Sequence, residues 1–182
     1  VLSGFLITFL LLKEREVSGS ISLKNFYLRR ILRIWPVYFI VLFMGYLLIP
    51  YLFSLFGSPS LPMDTVPPSS AWPWHTFFVT NFAMSRSLFA SVPTDILWSV
   101  GIEEQFYLLW PVVVILIPKR MLAKIVGLIV LAAFIFRGYF AYEPDVLAYS
   151  TFSAMSDLGI GCLLAIFVFN RDVQRLKVLF SK

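Results

Sequence analysis

The run from Leu97 to Ile117, LWSVGIEEQFYLLWPVVVILI, is apolar over a length that crosses a bilayer core of roughly 30 Å at 1.5 Å per residue, yet it holds two adjacent carboxylates. A charge at the centre of such a segment costs about 2.5 to 3.5 kcal/mol on insertion scales, so Glu103 and Glu104 need water, a partner or a function. The rest of the chain has the same character. Of 182 residues, 59% are hydrophobic and 14% charged, and the mean hydropathy is +0.85. Soluble domains carry roughly 25% charged residues, so the composition points to an integral membrane protein.

The apolar runs divide the chain. Val1 to Leu12 opens inside an apolar run without an initiating Met or a basic leader, and reads as the tail of a truncated first membrane helix. Lys13, Glu14, Arg15 and Glu16 are expected in a polar loop that runs through Gly19, with Ser22 capping the next helix. That helix begins with the basic stretch LKNFYLRRILR and is apolar from Ile34 to about Phe56, with Pro36 and Pro50 expected to bend or bound it. An outer loop is expected over about 57–96. Within it, Pro73 to Met84 is too short for a full crossing and suits a re-entrant or interfacial segment, and Trp72 and Trp74 fit an aromatic belt. Leu97 to Ile117, Met121 to Tyr142 and Thr151 to Phe169 are full spans, followed by a basic cytoplasmic tail over about 170–182. The expected fold is all-α: a polytopic transmembrane helix bundle, a fragment of about five membrane segments plus one short re-entrant or interfacial segment.

Charge orients this arrangement. With the loop before Arg33 inside, Lys119, Arg120, Lys124, Arg171, Arg175, Lys177 and Lys182 also fall inside, and only Arg86 lies outside with Asp64, Asp95, Glu143 and Asp145. The net charge of +5 is spread between apolar runs, which argues against a nucleic-acid partner and for a lipid bilayer. Cys162 is alone and reads as a small packing residue.

Counted inward from the outer ends, Glu103, Asp157 and Arg137 all fall about 8 to 10 Å below the boundary. Buried charges at one depth tend to pair, so Arg137 is expected to bridge Glu103 or Asp157 beside an outward-opening polar cavity; the plainer reading is that the cluster only pins helices together. Glu103, Tyr107 and Trp110 recur at i, i+4 and i+7 on one helix face, while Glu104 turns about 100° away, toward a neighbour or the outer loop. At the inner boundary Arg29, Arg30 and Arg33 suit the phosphates of a nucleotide-bearing donor, or anchoring to anionic lipid. His75 suits a general base or interfacial packing. No spacing suggests a metal site.

Three stretches in order, SGFLIT from Ser3, FYLRRILRIWPVY from Phe26 and LWSVGIEEQFYLLWP from Leu97, resemble the acyltransferase 3 family of bacterial integral membrane O-acyltransferases. STFSAMSDLGIGCLLA from Ser150 is similar to the family's next landmark in weaker form. The resemblance implies a partial acyltransferase 3 domain over 1–182, in the bacterial inner (plasma) membrane. It implies transfer of an acyl group, usually acetyl, from cytoplasmic acyl-CoA (acetyl-CoA) to a hydroxyl of a surface glycan or lipid-linked saccharide. It puts Arg30 and Arg33 on the family's Arg-x-x-Arg pair at the acyl-CoA side, Ser3 near the site, and Glu103, Glu104 and Tyr107 on its acidic motif. The family's catalytic base is a histidine on the preceding helix, outside this chain, so Glu103 and Glu104 are expected as supporting catalytic residues, with Ser3, Tyr107, Arg137 and Asp157 on the acceptor. His75 does not match that histidine's motif, and the fragment alone is expected to be inactive. A rival reading is a transporter or channel piece gated by Glu103, Arg137 and Asp157.

Overall fold

The computed structural model describes residues 1–56, 69–88 and 93–180, with side chains at all of these except 53, 56, 69, 93, 95 and 172–180. Of the expected outer loop, 57–68 with Asp64 and 89–92 lie outside the described residues, as do the side chains of Asp95, Arg175, Lys177 and Lys182.

Helix α1 (Leu2–Ser18) ends at Gly19, whose φ of 72° is the left-handed conformation a glycine adopts without a Cβ penalty. Lys13 to Glu16, expected in a loop, are therefore the last helical turn of α1. Tertiary partners extend the helix: Arg15 donates to the carbonyls of Val114 at 2.7 Å and Ile117 at 3.2 Å, and Glu16 pairs with Lys119. Helix α2 (Leu23–Phe43) starts at Ser22, whose hydroxyl accepts the Asn25 amide at 3.5 Å. One π turn, Met44–Leu48, joins it to α3 (Ile49–Phe56). Neither proline ends the helix. Pro50 lacks an N–H and its ring crowds the carbonyl four residues back, at Tyr46, which a wider turn relieves.

The segment over 73–84 forms two single turns, α4 (Trp72–Thr76) and α5 (Thr80–Met84). Phe78 between them has φ 57° and stacks on Trp35 and Tyr38 of α2 at 5.6 and 4.3 Å. Its carbonyl accepts Gln105 Nε2 at 2.8 Å, and Gly101 permits the approach, because a Cβ there would stand 2.8 Å from that carbonyl oxygen. Buried Asn81 donates to the Thr151 hydroxyl at 2.9 Å, which in turn donates to Gln105 at 2.6 Å. The short segment is thus locked to the bundle.

Helices α6 (Trp98–Leu116), α7 (Lys119–Tyr139), α8 (Pro144–Tyr149) and α9 (Thr151–Phe180) complete the chain. Among the described residues, four helices are long and apolar enough to cross a membrane: Leu23–Leu52, Trp98–Leu116, Lys119–Tyr139 and Thr151–Arg171. The fifth expected segment, α1, has 17 residues and packs chiefly along α9 and against α6. Glycines set that contact: a Cβ on Gly4 would stand 2.1 Å from the Leu158 carbonyl oxygen, and one on Gly161 would stand 2.0 Å from that of Val1. Cys162 is buried there as a packing residue, its Sγ 3.6 Å from the Gly4 carbonyl oxygen. Ile7, Leu11, Trp110, Val114, Leu158 and Ile166 share the core below, while Leu32, Leu109, Leu128 and Ile135 stay on the outside, the apolar exterior that a bilayer covers.

Candidate active site

The α6 face expected from periodicity is real, and it lies against α1. Glu103 accepts the Ser3 hydroxyl at 2.7 Å and the Tyr107 hydroxyl at 2.9 Å, and one turn further the Trp110 indole donates to Thr8 at 2.8 Å. A carboxylate is an acceptor-only group when ionised, and here each of its two oxygens receives one hydroxyl donor. Both serine and threonine come from one stretch, SGFLIT, whose helical spacing puts them opposite the acidic face of α6.

Glu104 turns to a different neighbour, as its 100° offset requires, but that neighbour is α2 and not the outer loop. Its Oε2 accepts the Trp35 indole at 3.2 Å, and its Oε1 is buried with no hydrogen-bond partner among the described residues. Trp35 is the site residue that inspection of charge and depth missed. Its signal was present in the sequence, an indole in the arginine-bearing run FYLRRILRIWPVY.

Arg30 and Arg33 line the same cavity as Ser3, Glu103 and Tyr107, a space of about 340 Å³. The arginines and Glu103, expected at opposite ends of the bundle, thus meet in one cavity. Arg30 is seven residues into α2, about 10 Å of rise, and it meets α6 at Tyr107, in the middle of that helix. Its guanidinium lies 5.4 Å from the Tyr107 ring centre and 5.7 Å from that of Phe26. Phe26, Arg30 and Arg33 are spaced i, i+4 and i+7, so one face of α2 carries all three.

A second cavity, about 610 Å³, opens between the end of α1 and the start of α2. Lys13, Arg29, Arg30 and Arg33 line it, with Glu14. Glu14 stands 3.8 Å from Arg29, whose side chain is 65% exposed, and accepts the Ser22 amide at 2.8 Å. The two cavities share Arg30 and Arg33, so a basic chamber and a hydroxyl–carboxylate cluster meet at these side chains.

Arg137 and Asp157 are elsewhere. Arg137 pairs with Asp157 at 3.9 Å and reaches Ser153 at 3.3 Å, and neither charged residue lines the cavity of Glu103. Two facts explain this. Helix α7 packs chiefly along α9, and it ends at Tyr139 rather than Tyr142, which leaves Arg137 in its last turn and not a further turn down. A cation in the last turn is favoured by the helix dipole. His75 is fully buried, its Nδ1 3.0 Å from both the Ala71 carbonyl oxygen and the Tyr46 hydroxyl, so it belongs to the core of the short segment and not to an interface. Among the described residues, no three His, Cys, Asp or Glu side chains gather as a metal site requires.

The model of the acyltransferase domain family matches residues 1–181. The chain is 33% identical to the peptidoglycan O-acetyltransferase OatA of Listeria monocytogenes over 94% of its length and 29% of that protein's. It is 31% identical to the O-acetyltransferase OatA of Staphylococcus aureus strain NCTC 8325, over 96% of the chain and 30% of the relative. For the putative peptidoglycan O-acetyltransferase YrhL of Bacillus subtilis the figures are 30%, 91% and 27%. The chain thus spans under a third of the length of these curated relatives. No solved structure matches it. The chain belongs to the acyltransferase domain family and is a membrane protein, and the transporter reading is not supported.

Proposed function

We propose, from this family membership, that the chain forms the donor and acceptor chambers of a bacterial inner-membrane O-acyltransferase. The reaction moves an acetyl group from cytoplasmic acyl-CoA to a hydroxyl of a cell-surface glycan, and the names of the relatives favour peptidoglycan. One observation carries the reading: Arg30 and Arg33 line both the basic cavity and the cavity of Ser3, Glu103 and Tyr107. A phosphate-rich donor needs cations, and guanidinium forks bind phosphate oxygens bidentately. An acceptor hydroxyl needs a carboxylate acceptor at hydrogen-bond distance, which is how Glu103 already holds Ser3 and Tyr107.

In this reading the chamber of Lys13, Arg29, Arg30 and Arg33 faces the cytoplasm and receives the donor's phosphates, while Ser3, Glu103 and Tyr107 orient the acceptor. Glu104, held by Trp35, supports the site from the α2 side. Arg137 and Asp157, which pair with each other and do not line that cavity, are no part of it. The test is transfer of radiolabel from acetyl-CoA to cell-wall glycan by membranes carrying the full-length protein. Arg30→Ala with Arg33→Ala lowers transfer at least ~10-fold, because each charge-assisted bond contributes about 1.5–3 kcal/mol. Unchanged transfer would reject the donor assignment.

A further inference from the structure

The three arginines of α2 that line the basic cavity differ in their surroundings. Arg29 is exposed and stands by Glu14, and Arg33 is exposed. Arg30 is half-buried, set between the rings of Phe26 and Tyr107, and among the described residues it has no hydrogen-bond or ion-pair partner. A guanidinium carries five N–H donors, and leaving them unmade in a membrane-spanning helix is costly unless something else takes them. Both rings lie within cation–π distance of its guanidinium, and the side chain lines the cavity it shares with Glu103 and Tyr107.

We infer that Arg30 and Arg33 have separate roles: Arg33, with Arg29 and Lys13, holds the phosphates of the donor, and Arg30 is the catalytic residue that stabilises the oxyanion formed at the acyl carbonyl. This rests on the acyl-CoA reading above. A thioester joins the phosphate-bearing part of such a donor to its reacting carbon, so a donor seated in the basic chamber and reacting beside Glu103 must bring its carbonyl past the side chains common to both, Arg30 and Arg33, of which Arg30 is the one packed on Tyr107. In the step itself the acceptor oxygen bonds to the carbonyl carbon as its proton passes to the general base. The carbonyl electron pair moves onto oxygen, facing Arg30. That pair then re-forms the carbonyl as the carbon–sulfur bond breaks, and the thiolate leaves and takes the proton back from the base. A fixed cation in a water-poor site is worth more to this transient charge than to a ground-state carbonyl, so its loss falls on kcat.

The experiment compares Arg30→Lys, Arg30→Gln and Arg33→Gln in the full-length protein in membranes. It reads kcat and KM for acetyl-CoA, and binding of a non-transferable thioether analogue of acetyl-CoA by the solubilised protein. Expected for Arg30→Gln is a loss of ~100-fold or more in kcat, the usual cost of one oxyanion donor, with analogue binding within threefold of the unmodified protein. Arg30→Lys keeps the charge but not the fork and recovers part of the rate. Arg33→Gln raises KM and weakens analogue binding, with kcat little changed. Retained kcat in Arg30→Gln with a raised KM, or lost analogue binding in that variant, overturns the inference and leaves the donor reading standing. Failure of the unmodified protein to use acetyl-CoA while another acyl donor supports transfer overturns the donor reading itself.

Discussion

Glu103 on α6 and Asp157 on α9 stand at the same step along their runs, yet they reach different surroundings. Glu103 is enclosed by two hydroxyl donors from α1 and from its own helix, beside a cavity. Asp157 is 60% exposed and meets a single cation, Arg137, at 3.9 Å. Depth along a helix places a charge in the membrane, but the neighbouring helix decides whether it has a site. α1 lies against α6 with a serine at the level of Glu103, whereas α7 offers α9 an arginine in its own last turn.

The contrast can be broken in three ways. The largest effect belongs to Glu103→Gln, which removes the charge that two hydroxyls serve. Acetyl transfer by the full-length protein falls ~100-fold, as expected for charged hydrogen bonds of about 1.5–3 kcal/mol each, and a fall below threefold would make this carboxylate no more important than Asp157. Next comes Gly4→Ala. The added Cβ lands 2.1 Å from the backbone oxygen of Leu158, which cannot yield as a side chain would, and it displaces α1 next to Ser3. We expect a loss of about 1–3 kcal/mol in thermal or denaturant stability of the solubilised protein, with transfer reduced in step. Wild-type stability in this variant would show that α1 is not seated on α9 as described. The smallest effect is that of Arg137→Gln. Its pair with Asp157 is solvent-accessible on both sides, so stability moves by under ~1 kcal/mol and transfer by under twofold. A tenfold loss of transfer would return Arg137 to the active site.

The same pair of regions shows what was legible in advance. The face of Glu103, Tyr107 and Trp110 follows from helical period, and the matching Ser3 follows from motif order, because local spacing alone fixes which side chains share a face. Arg137 does pair with Asp157, one of its two expected partners, but the pair lies away from the cavity of Glu103, because α7 packs along α9 and stops at Tyr139; the end of a helix depends on turn contacts that hydropathy does not register. Basic residues at a boundary orient membrane helices, which places the arginines at one end, but no periodicity says how far α2 slides along α6. Likewise the polarity of Lys13 to Glu16 suggests a loop, although ion pairs and capped carbonyls made on folding carry the helix through them.

The sequence by itself determined that this chain crosses a membrane as helices, that its charges are sorted, and that one face of its central helix is acidic and aromatic. These are properties of composition and period, which act along a single helix. Tertiary structure alone decided that Glu103 is held by α1 while Glu104 is held by Trp35 of α2, and that Arg30 lies on the Tyr107 ring with a cavity on either side. The physical reason is the axial register between helices. It is set by close glycine contacts at Gly4 and Gly161 and by the Arg15 bonds to the end of α6, and such contacts join residues about a hundred or more positions apart in the chain.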